Sequence, residues 1–516
     1  MYIAGQKEMQ EMDRYTMETL GLPGIVLMEN AGAKVVEDMA AHYPLERSRV
    51  LVLTGGGNNG GDGFVIARRL IDMGVDAAVW LLADETRVRG DAKIHFDVYK
   101  NRKLPLYHLK DHTFAELEVE IRRADIIVDA ILGTGVHGPV RDPYAQAIAL
   151  VNALAEDKPV ISVDIPSGVD SETGKVEGEA VKASRTITFV FPKKGFFLNE
   201  GPQYIGEWKA VDISVPPGIV KELGFQLPIL MTESLAKSSI PKRPSHGHKG
   251  TFGHVLVIGG SKHFVGAPVF TAKAALNLGA GLVTLAVPET MYPIAASLNP
   301  ESLFFPLPEK DGHFAEEAIA ALKPELSKFD CVAIGPGMGR FPNGERWMTS
   351  FIKDIKEDIP LVVDADALYL LRNDLDLVNE YSGPVIFTPH PGEMAHLLNK
   401  TVKEIETDRI GTATEFARNY NVFLLLKGHR SVIAAPDGSV YVNPLGHDAL
   451  GKGGSGDVLT GMIASFIAQG ASPLDALISA SFLHAKAGEE QAKVLSHYGV
   501  LPMDLIDGAK RQLIET

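Results

Sequence analysis

The chain of 516 residues has one cysteine, Cys331, so an internal disulfide is excluded. Its place in the apolar run Asp330-Cys331-Val332-Ala333-Ile334 predicts a core thiol, and a reducing cytoplasm suits it. Long apolar runs are absent as well, none approaching the roughly 18 residues that span a bilayer. The opening residues 1–8 lack the basic segment and apolar core of a signal peptide. Positive charge is scarce: 50 basic against 65 acidic residues leave a formal charge of -15, which opposes broad binding to nucleic acid or anionic membrane. Any phosphate ligand must therefore be captured locally. No fixed-period repeat runs through the chain, which excludes a solenoid. The Gly-x-x-x-x-Gly-Lys-Ser/Thr spacing is also missing, which disfavours a Walker-type NTPase. The expected setting is cytoplasmic with small-molecule partners; assembly is left open, a homo-oligomer included.

What is present begins with size. A chain of 516 residues exceeds what one core supports, and a hydrophobic fraction of 45% with 22% charged residues is that of an ordinary globular protein. After an opening helix on Met9, Met12, Thr16 and Leu20, short apolar runs alternate with longer amphipathic ones. Val50 to Thr54, Ala77 to Leu82, Ile126 to Ala130, Pro159 to Val163 and Thr186 to Phe191 read as buried strands. The pattern breaks at Val215-Pro216-Pro217-Gly218 and again from Ser238 to Gly250. It restarts with His254 to Ile258, Leu282 to Val287, Cys331 to Ile334, Leu361 to Val363, Val385 to Thr388 and Val422 to Leu426, ending in helices Val458 to Gln469 and Leu474 to Ala487. The expected fold class is α/β: a Rossmann-like three-layer sandwich over residues 1–225 and a second α/β domain over 226–516.

In the first half, strand Val50 to Thr54 empties into Gly55-Gly56-Gly57-Asn58-Asn59-Gly60-Gly61-Asp62-Gly63, ahead of a helix expected from Phe64 to Ile71. The glycines permit close backbone approach, while Asn58, Asn59 and Asp62 add polar groups at a strand's carboxyl end, where open α/β sheets bind ligands. The polar triplet is wrong for a plain dinucleotide fingerprint. Two more strand ends carry acids: Asp129 before Gly133-Thr134-Gly135-Val136-His137-Gly138, and Asp164 before Ile165-Pro166-Ser167. Oxygens from Asn59, Asp129 and Ser167 could surround a hard cation, leaving Asp164 free for proton transfer.

In the second half, the segment Gly451-Lys452-Gly453-Gly454-Ser455-Gly456-Asp457 runs into an apolar helix. N–H groups of Gly453, Gly454, Ser455 and Gly456 would form an anion hole at the helix's positive end, with Asp457 beside it as a base. That combination points to phosphoryl transfer. Loops Gly259 to Pro268, Gly335-Pro336-Gly337-Met338-Gly339 and Thr388-Pro389-His390-Pro391-Gly392-Glu393 follow strands and are expected to line one cleft. Lys427-Gly428-His429-Arg430-Ser431 offers cationic groups and N–H donors for nucleotide phosphates. Three histidines within His246 to His254 match no zinc spacing, and the segment is expected to be a mobile lid near phosphates.

The motifs Asn58 to Asp62, Asp129 with Gly133 to Gly138, and Asp164 to Gly168 resemble those of the NAD(P)H-hydrate epimerases, over roughly residues 1–220. The resemblance implies that Asn58, Asn59, Gly60, Gly61, Asp62, Gly133, Thr134, Gly135, Val136, His137, Gly138, Pro139 and Asp164 contact a hydrated nicotinamide nucleotide (NADHX or NADPHX). It also implies potassium at Asn59, Asp129 and Ser167, and acid–base work by Asp164. The set Gly335 to Gly339, Asp364-Ala365-Asp366-Ala367-Leu368, Thr388 to Glu393, Lys427 to Ser431 and Gly453 to Asp457 is similar to that of the ADP- or ATP-dependent NAD(P)H-hydrate dehydratases, a ribokinase-like branch, over about residues 228–516. That second resemblance implies hydrate contacts at Ala267, Gly337, His390 and Asp457. It implies nucleotide contacts at Lys427, Gly428, His429, Arg430, Ser431 and Gly456, with ADP or ATP as phosphoryl donor and magnesium beside it. Two readings compete: a ribokinase-like kinase for a small alcohol such as a vitamin precursor, and a first half that only binds or scaffolds.

Overall fold

The computed structural model describes residues 1–355 and 358–515, and the chain divides into two compact units, Met1–Leu227 and Pro228–Thr516. The first unit is built on strands β1 Arg49–Thr54, β2 Asp76–Leu81, β3 Leu106–His108, β4 Ile126–Ala130, β5 Val160–Val163, β6 Arg185–Phe189 and β7 Glu207–Val211. Side chains alternate across a strand, so Val50 and Val52 of β1 join the core under helices Gly24–His42 and Asn58–Asp72. Leu51 and Leu53 join the opposite core, with Leu117 and Ile148 of helices Phe114–Arg123 and Tyr144–Leu154. A sheet apolar on both faces needs a helical layer on each, which gives the three-layer sandwich.

All of its strands run parallel, in the order β3-β2-β1-β4-β5-β6-β7. The chain winds outward from β1 to β3, returns, and winds the other way from β4. The loops after β1 and β4 therefore diverge at the carboxyl ends of adjacent strands, the place where a parallel sheet opens a crevice.

The second unit repeats this logic with strands β8 Ile229–Leu230, β9 His254–Ile258, β10 Leu282–Pro288, β11 Leu303–Leu307, β12 Glu309–Lys310, β13 His313–Phe314, β14 Cys331–Ile334, β15 Leu361–Val363, β16 Val385–Phe387, β17 Phe423–Leu426, β18 Val432–Ala434 and β19 Val440–Val442. The order β11-β10-β9-β14-β15-β16-β17-β18-β19-β8 places its reversal between β9 and β14. β18 and β19 extend the sheet antiparallel. β12 and β13 form a separate ribbon. Cys331 lies fully buried in this unit's core with Val255, Leu285 and Ala333, and burial pushes its thiol well up.

Several boundaries differ from expectation. The opening helix is Gln6–Glu18; Met9, Met12 and Thr16 are buried, but Leu20 lies beyond its end and is exposed. The last long helix runs Pro473–Gly499 with a break at Ser496 (φ 66°). Among the described residues no helix is long and apolar enough to cross a membrane.

Candidate active sites

In the first unit the glycine-rich loop is shorter than expected, because the helix starts at Asn58 rather than Phe64, with extended Gly57 as its N-cap. Asn58 to Asp62 thus form its first turns. Gly60 and Gly61 serve packing: a Cβ on Gly60 would lie 2.2 Å from the Gly55 carbonyl oxygen, and one on Gly61 would lie 2.5 Å from Met28 Sδ. Only glycine lets the helix start this close to the end of β1. Asn58, Asn59 and Asp62 line a cavity of about 660 Å³, joined by Gly133 to Val136 and Asp164. His137 does not line it; its ring sits between Asp170 Oδ2 (3.0 Å) and Gln6 Oε1 (2.7 Å), and Gly138 and Pro139 are exposed outside the lining.

Asp164 is not free, contrary to expectation. Its backbone takes φ 64°, an unusual conformation for a non-glycine residue, and Oδ1 accepts from Lys193 Nζ (2.6 Å), the Phe189 N–H (3.0 Å) and Thr188 Oγ1 (3.1 Å). Lys193 is 0% exposed, its ammonium also donating to the carbonyls of Phe189 and Phe191. Three further carboxyl groups share the cavity, Asp13, Asp62 and Asp91. Burial first, then the charge of Asp164, raises Asp13 to about 6 against the opposing pull of Lys193; burial and the charges of Asp164 and Asp13 hold Asp62 well above the usual range. Asp13 and Lys193 were missed by sequence reasoning. Asp13 left one signal, an acid four residues after Met9, next to the apolar stripe of the opening helix. Lys193, in Phe191-Pro192-Lys193-Lys194, reads as an ordinary basic turn.

Behind the loop after β4 an oxygen-rich cluster forms. Asp129 Oδ1 accepts from Ser167 Oγ (2.5 Å), and Oδ2 accepts from Ser162 Oγ (2.8 Å) and the Ser167 N–H (2.9 Å). Burial raises Asp129 despite these bonds. Asn59 Nδ2 donates to the Leu132 carbonyl (2.9 Å), which also lies 3.1 Å from Ser167 Oγ. The structure therefore brings Asn59, Asp129 and Ser167 together and adds Leu132.

In the second unit the helix at the glycine-rich motif is Ser455–Ala468, so Asp457 stands in its first turn. Gly454 caps it at φ 95°, a conformation that favours glycine. Of the N–H groups expected to form an anion hole, that of Ser455 is committed to the Lys452 carbonyl at 3.2 Å. Gly453, Gly454 and Gly456 remain of the expected set. Ser455 Oγ meets His484 Nε2 at 3.1 Å, and burial drives this ring down to about 4, so it is neutral near pH 7.

A cavity of about 520 Å³ is lined by His390, Lys427, Gly428, His429, Ser431, Ser455, Gly456 and His484. Gly453, Gly454, Asp457 and Arg430 lie outside that lining, and burial lowers the Arg430 guanidinium to about 10. Ala267 and Gly337 are also outside it, but they meet: a Cβ on Gly337 (φ 65°) would lie 3.1 Å from that of Ala267. His390 caps helix Pro391–Leu398, its Nδ1 accepting from the Gly392 and Glu393 N–H groups at 3.0 and 3.2 Å. With Nδ1 as acceptor the neutral ring carries its proton on Nε2, and burial and the Lys427 charge hold its pKa down.

The ammonium of Lys427 is committed to Asp364 Oδ1 at 2.8 Å, with Glu393 Oε2 at 3.8 Å. Burial works against this cation, but Asp364 and Glu393 more than offset it and its pKa is raised. Thr460, on the same helix as Asp457, donates to Asp364 Oδ2 at 2.6 Å. Asp364 is buried and precedes Ala365, another non-glycine residue at positive φ (52°). Burial, then the charge of Asp364, raises Asp457 to about 7, Lys427 opposing. Thr460 and the pairing of Asp364 with Lys427 had no signal in the local pattern.

The segment from His246 to His254 is not a lid over this site. Phe252 and Gly253 bond Gly281 and Leu282 as β9 and β10 begin, at the amino ends of the strands, and Arg243 is tied to Gly279 and Gln469 beyond the far end of helix Ser455–Ala468. A different cluster forms at the rim of the cavity, where His447 and Asp448 are lining residues: ligand atoms of His447, Asp448 and His497 lie within 4.8 Å of one another.

Comparison with known proteins follows the same division. The family described as NAD(P)H-hydrate dehydratase matches residues 255–511, and the family described as YjeF-related protein N-terminus matches residues 24–195. The bifunctional NAD(P)H-hydrate repair enzyme Nnr of Moorella thermoacetica is 39% identical over 98% of this chain and 96% of that protein. The enzyme of the same name from Salinibacter ruber is 35% identical over 98% and 95%. The crystal structure of ADP/ATP-dependent NAD(P)H-hydrate dehydratase from Bacillus subtilis, co-crystallised with ATP and Mg²⁺, is 30% identical, covers 56% of this chain and 98% of its own, and superposes with a TM-score of 0.49.

Proposed function

Because this chain belongs to the family of bifunctional NAD(P)H-hydrate repair enzymes, we propose that its first unit interconverts the R and S forms of NAD(P)H-hydrate and its second dehydrates the S form at the expense of ADP or ATP. The observation that carries this reading is Asp457, a carboxyl group raised to about 7 in the first turn of helix Ser455–Ala468, beside the glycines of an anion hole. A base poised near neutrality at a helix's positive end suits a hydroxyl attacking a phosphoryl group. Asp457 takes the proton from the substrate hydroxyl as its oxygen bonds to the terminal phosphorus, while the N–H groups of Gly454 and Gly456 stabilise the transferred charge. Water leaves a carbon poorly; phosphate leaves it well. Loss of phosphate from that carbon, with a proton from its ring neighbour, restores the dihydronicotinamide.

Lys427 and Asp364 hold this arrangement in place, Asp364 accepting one hydrogen bond from Lys427 and another from Thr460 on the catalytic helix. Magnesium would enter with the nucleotide, as the counter-ion of its phosphates. Asn59, Asp129, Ser167 and the Leu132 carbonyl make an all-oxygen set with a single carboxylate, which suits a hard monovalent cation, and we assign potassium there. It would supply positive charge beside the loop Gly133 to Val136. The compartment we propose is the cytosol, where the Cys331 thiol stays reduced.

The deciding experiment incubates the purified protein with mixed hydrate epimers and ADP or ATP. Recovery of reduced-nicotinamide absorbance with matching phosphate release is expected for both epimers. A stable phosphorylated product would instead establish the small-alcohol kinase reading. Exchanging potassium for sodium is expected to slow epimerisation, followed by NMR without nucleotide, and to leave dehydration of the S form unchanged; equal rates in both salts would remove potassium from the first unit.

A further inference from the structure

Four carboxyl groups from separate elements line the first unit's cavity: Asp13 from helix Gln6–Glu18, Asp62 from helix Asn58–Asp72, Asp91 from helix Gly90–Asn101, and Asp164 at the end of β5. Their surroundings differ. Asp164 is ion-paired with Lys193 and takes hydrogen bonds from Phe189 and Thr188 on Oδ1. Asp13 has a buried Oδ1 with no hydrogen-bond partner among the described residues. An unpartnered buried carboxylate oxygen is costly, and protonation removes the charge that makes it so. Asp13 accordingly holds its proton to about pH 6, burial being the first cause and Asp164 the second. Carboxyl groups whose environments set their proton affinities apart are the usual equipment of paired acid–base catalysis.

The reaction asks for such a pair. Inverting a ring carbon by loss and return of its hydroxyl needs a proton donor for the departing oxygen and an acceptor for the water that returns to the other face. One carboxyl group cannot do both at once. Resting on the epimerase reading above, we propose that Asp13 is a second catalytic residue of the first unit, acting as the acid–base partner of Asp164. In one direction the Asp13 proton passes to the substrate hydroxyl, the carbon–oxygen bond breaks with its electron pair leaving as water, and the ring nitrogen lone pair closes a C=N bond. Water then adds to the opposite face, the C=N pair returns to nitrogen, and the surplus proton goes to the Asp164 carboxylate. The reverse direction exchanges the roles, and no electrons are gained or lost. Asp62, Asp91, Arg87 and Tyr144 are the other ionisable groups lining the cavity, and Lys193 stands behind Asp164.

The test uses the full chain and one purified hydrate epimer, with potassium and no nucleotide, following interconversion by NMR. Asp13→Asn is expected to lower kcat for epimerisation about 100-fold or more, with KM within a few-fold and nucleotide-dependent dehydration of the S form intact, which also reports that the protein is folded. Wild-type kcat/KM for the epimer that needs Asp13 as donor should fall as pH rises past about 6, a limb that the residual activity of Asp13→Asn should lack. Asp13→Glu should recover part of the rate. A kcat for Asp13→Asn within threefold of wild type, or a defect confined to KM, overturns the proposal. Wild-type protein that interconverts no epimers would defeat the epimerase reading itself, a different failure.

Discussion

Asp457→Asn is expected to cut nucleotide-dependent dehydration by about 10³-fold while epimerisation proceeds at the wild-type rate. The replacement keeps shape and volume, so the first turn of helix Ser455–Ala468 and its anion-binding glycines stay in place; only the proton acceptor goes. The pH dependence follows from the same group. Its carboxyl is raised to about 7, chiefly by burial and next by the charge of Asp364, so below that value the base is protonated. Dehydration should climb as pH rises towards 7 and level above it. Stability should run the other way: a carboxyl with a raised folded-state pKa stabilises most below its ordinary value, and that contribution is lost as pH rises through about 7. Asp457→Asn should therefore unfold later than wild type at pH 8 while being nearly inactive, a trade between stability and activity. Substantial dehydration by this variant, measured as recovery of reduced-nicotinamide absorbance, would remove Asp457 from the role of base.

Asp164→Asn is expected to damage the first unit twice. Epimerisation should fall by about 10²- to 10⁴-fold, and the unit should lose about 3–5 kcal/mol, because Lys193, 0% exposed, is left as a buried cation without its carboxylate. The two effects can be separated. Lys193→Met combined with Asp164→Asn removes both charges, and a buried pair replaced together is often nearly neutral for stability. Thermal unfolding of the double variant should return towards wild type, whereas NMR should show epimerisation still lost. Recovered epimerisation in the double variant would make Asp164 a structural residue only.

The central strands were legible because burial on both faces leaves unbroken apolar runs such as Val50 to Leu53, Ile126 to Val128 and Cys331 to Ile334. Peripheral strands were not. Leu106–His108, Val432–Ala434 and Val440–Val442 have three residues each, and Glu207–Val211, at a sheet edge, alternates exposed with half-buried positions until Val211. The start of helix Asn58–Asp72 was hidden because glycines that read as loop instead permit a helix to crowd a strand end. Motifs located the acids, but the partners came from far along the chain: Lys193 for Asp164, Lys427 and Thr460 for Asp364. Proximity of that kind is decided by strand order and side-chain direction. Local sequence pattern carries neither.

Each unit also locks one aspartate to a lysine, Asp164 to Lys193 and Asp364 to Lys427, and sets a second acid beside it, Asp13 or Asp457, raised to about 6 and about 7. The locked pair contributes no net charge to its cavity. A protein with a formal charge of -15 would ordinarily repel a nucleotide bearing several phosphates. Here two of the acids are offset by lysines and two ionise only near neutrality, so an anionic guest meets less negative charge than the same acids would carry unpaired and at their ordinary pKa.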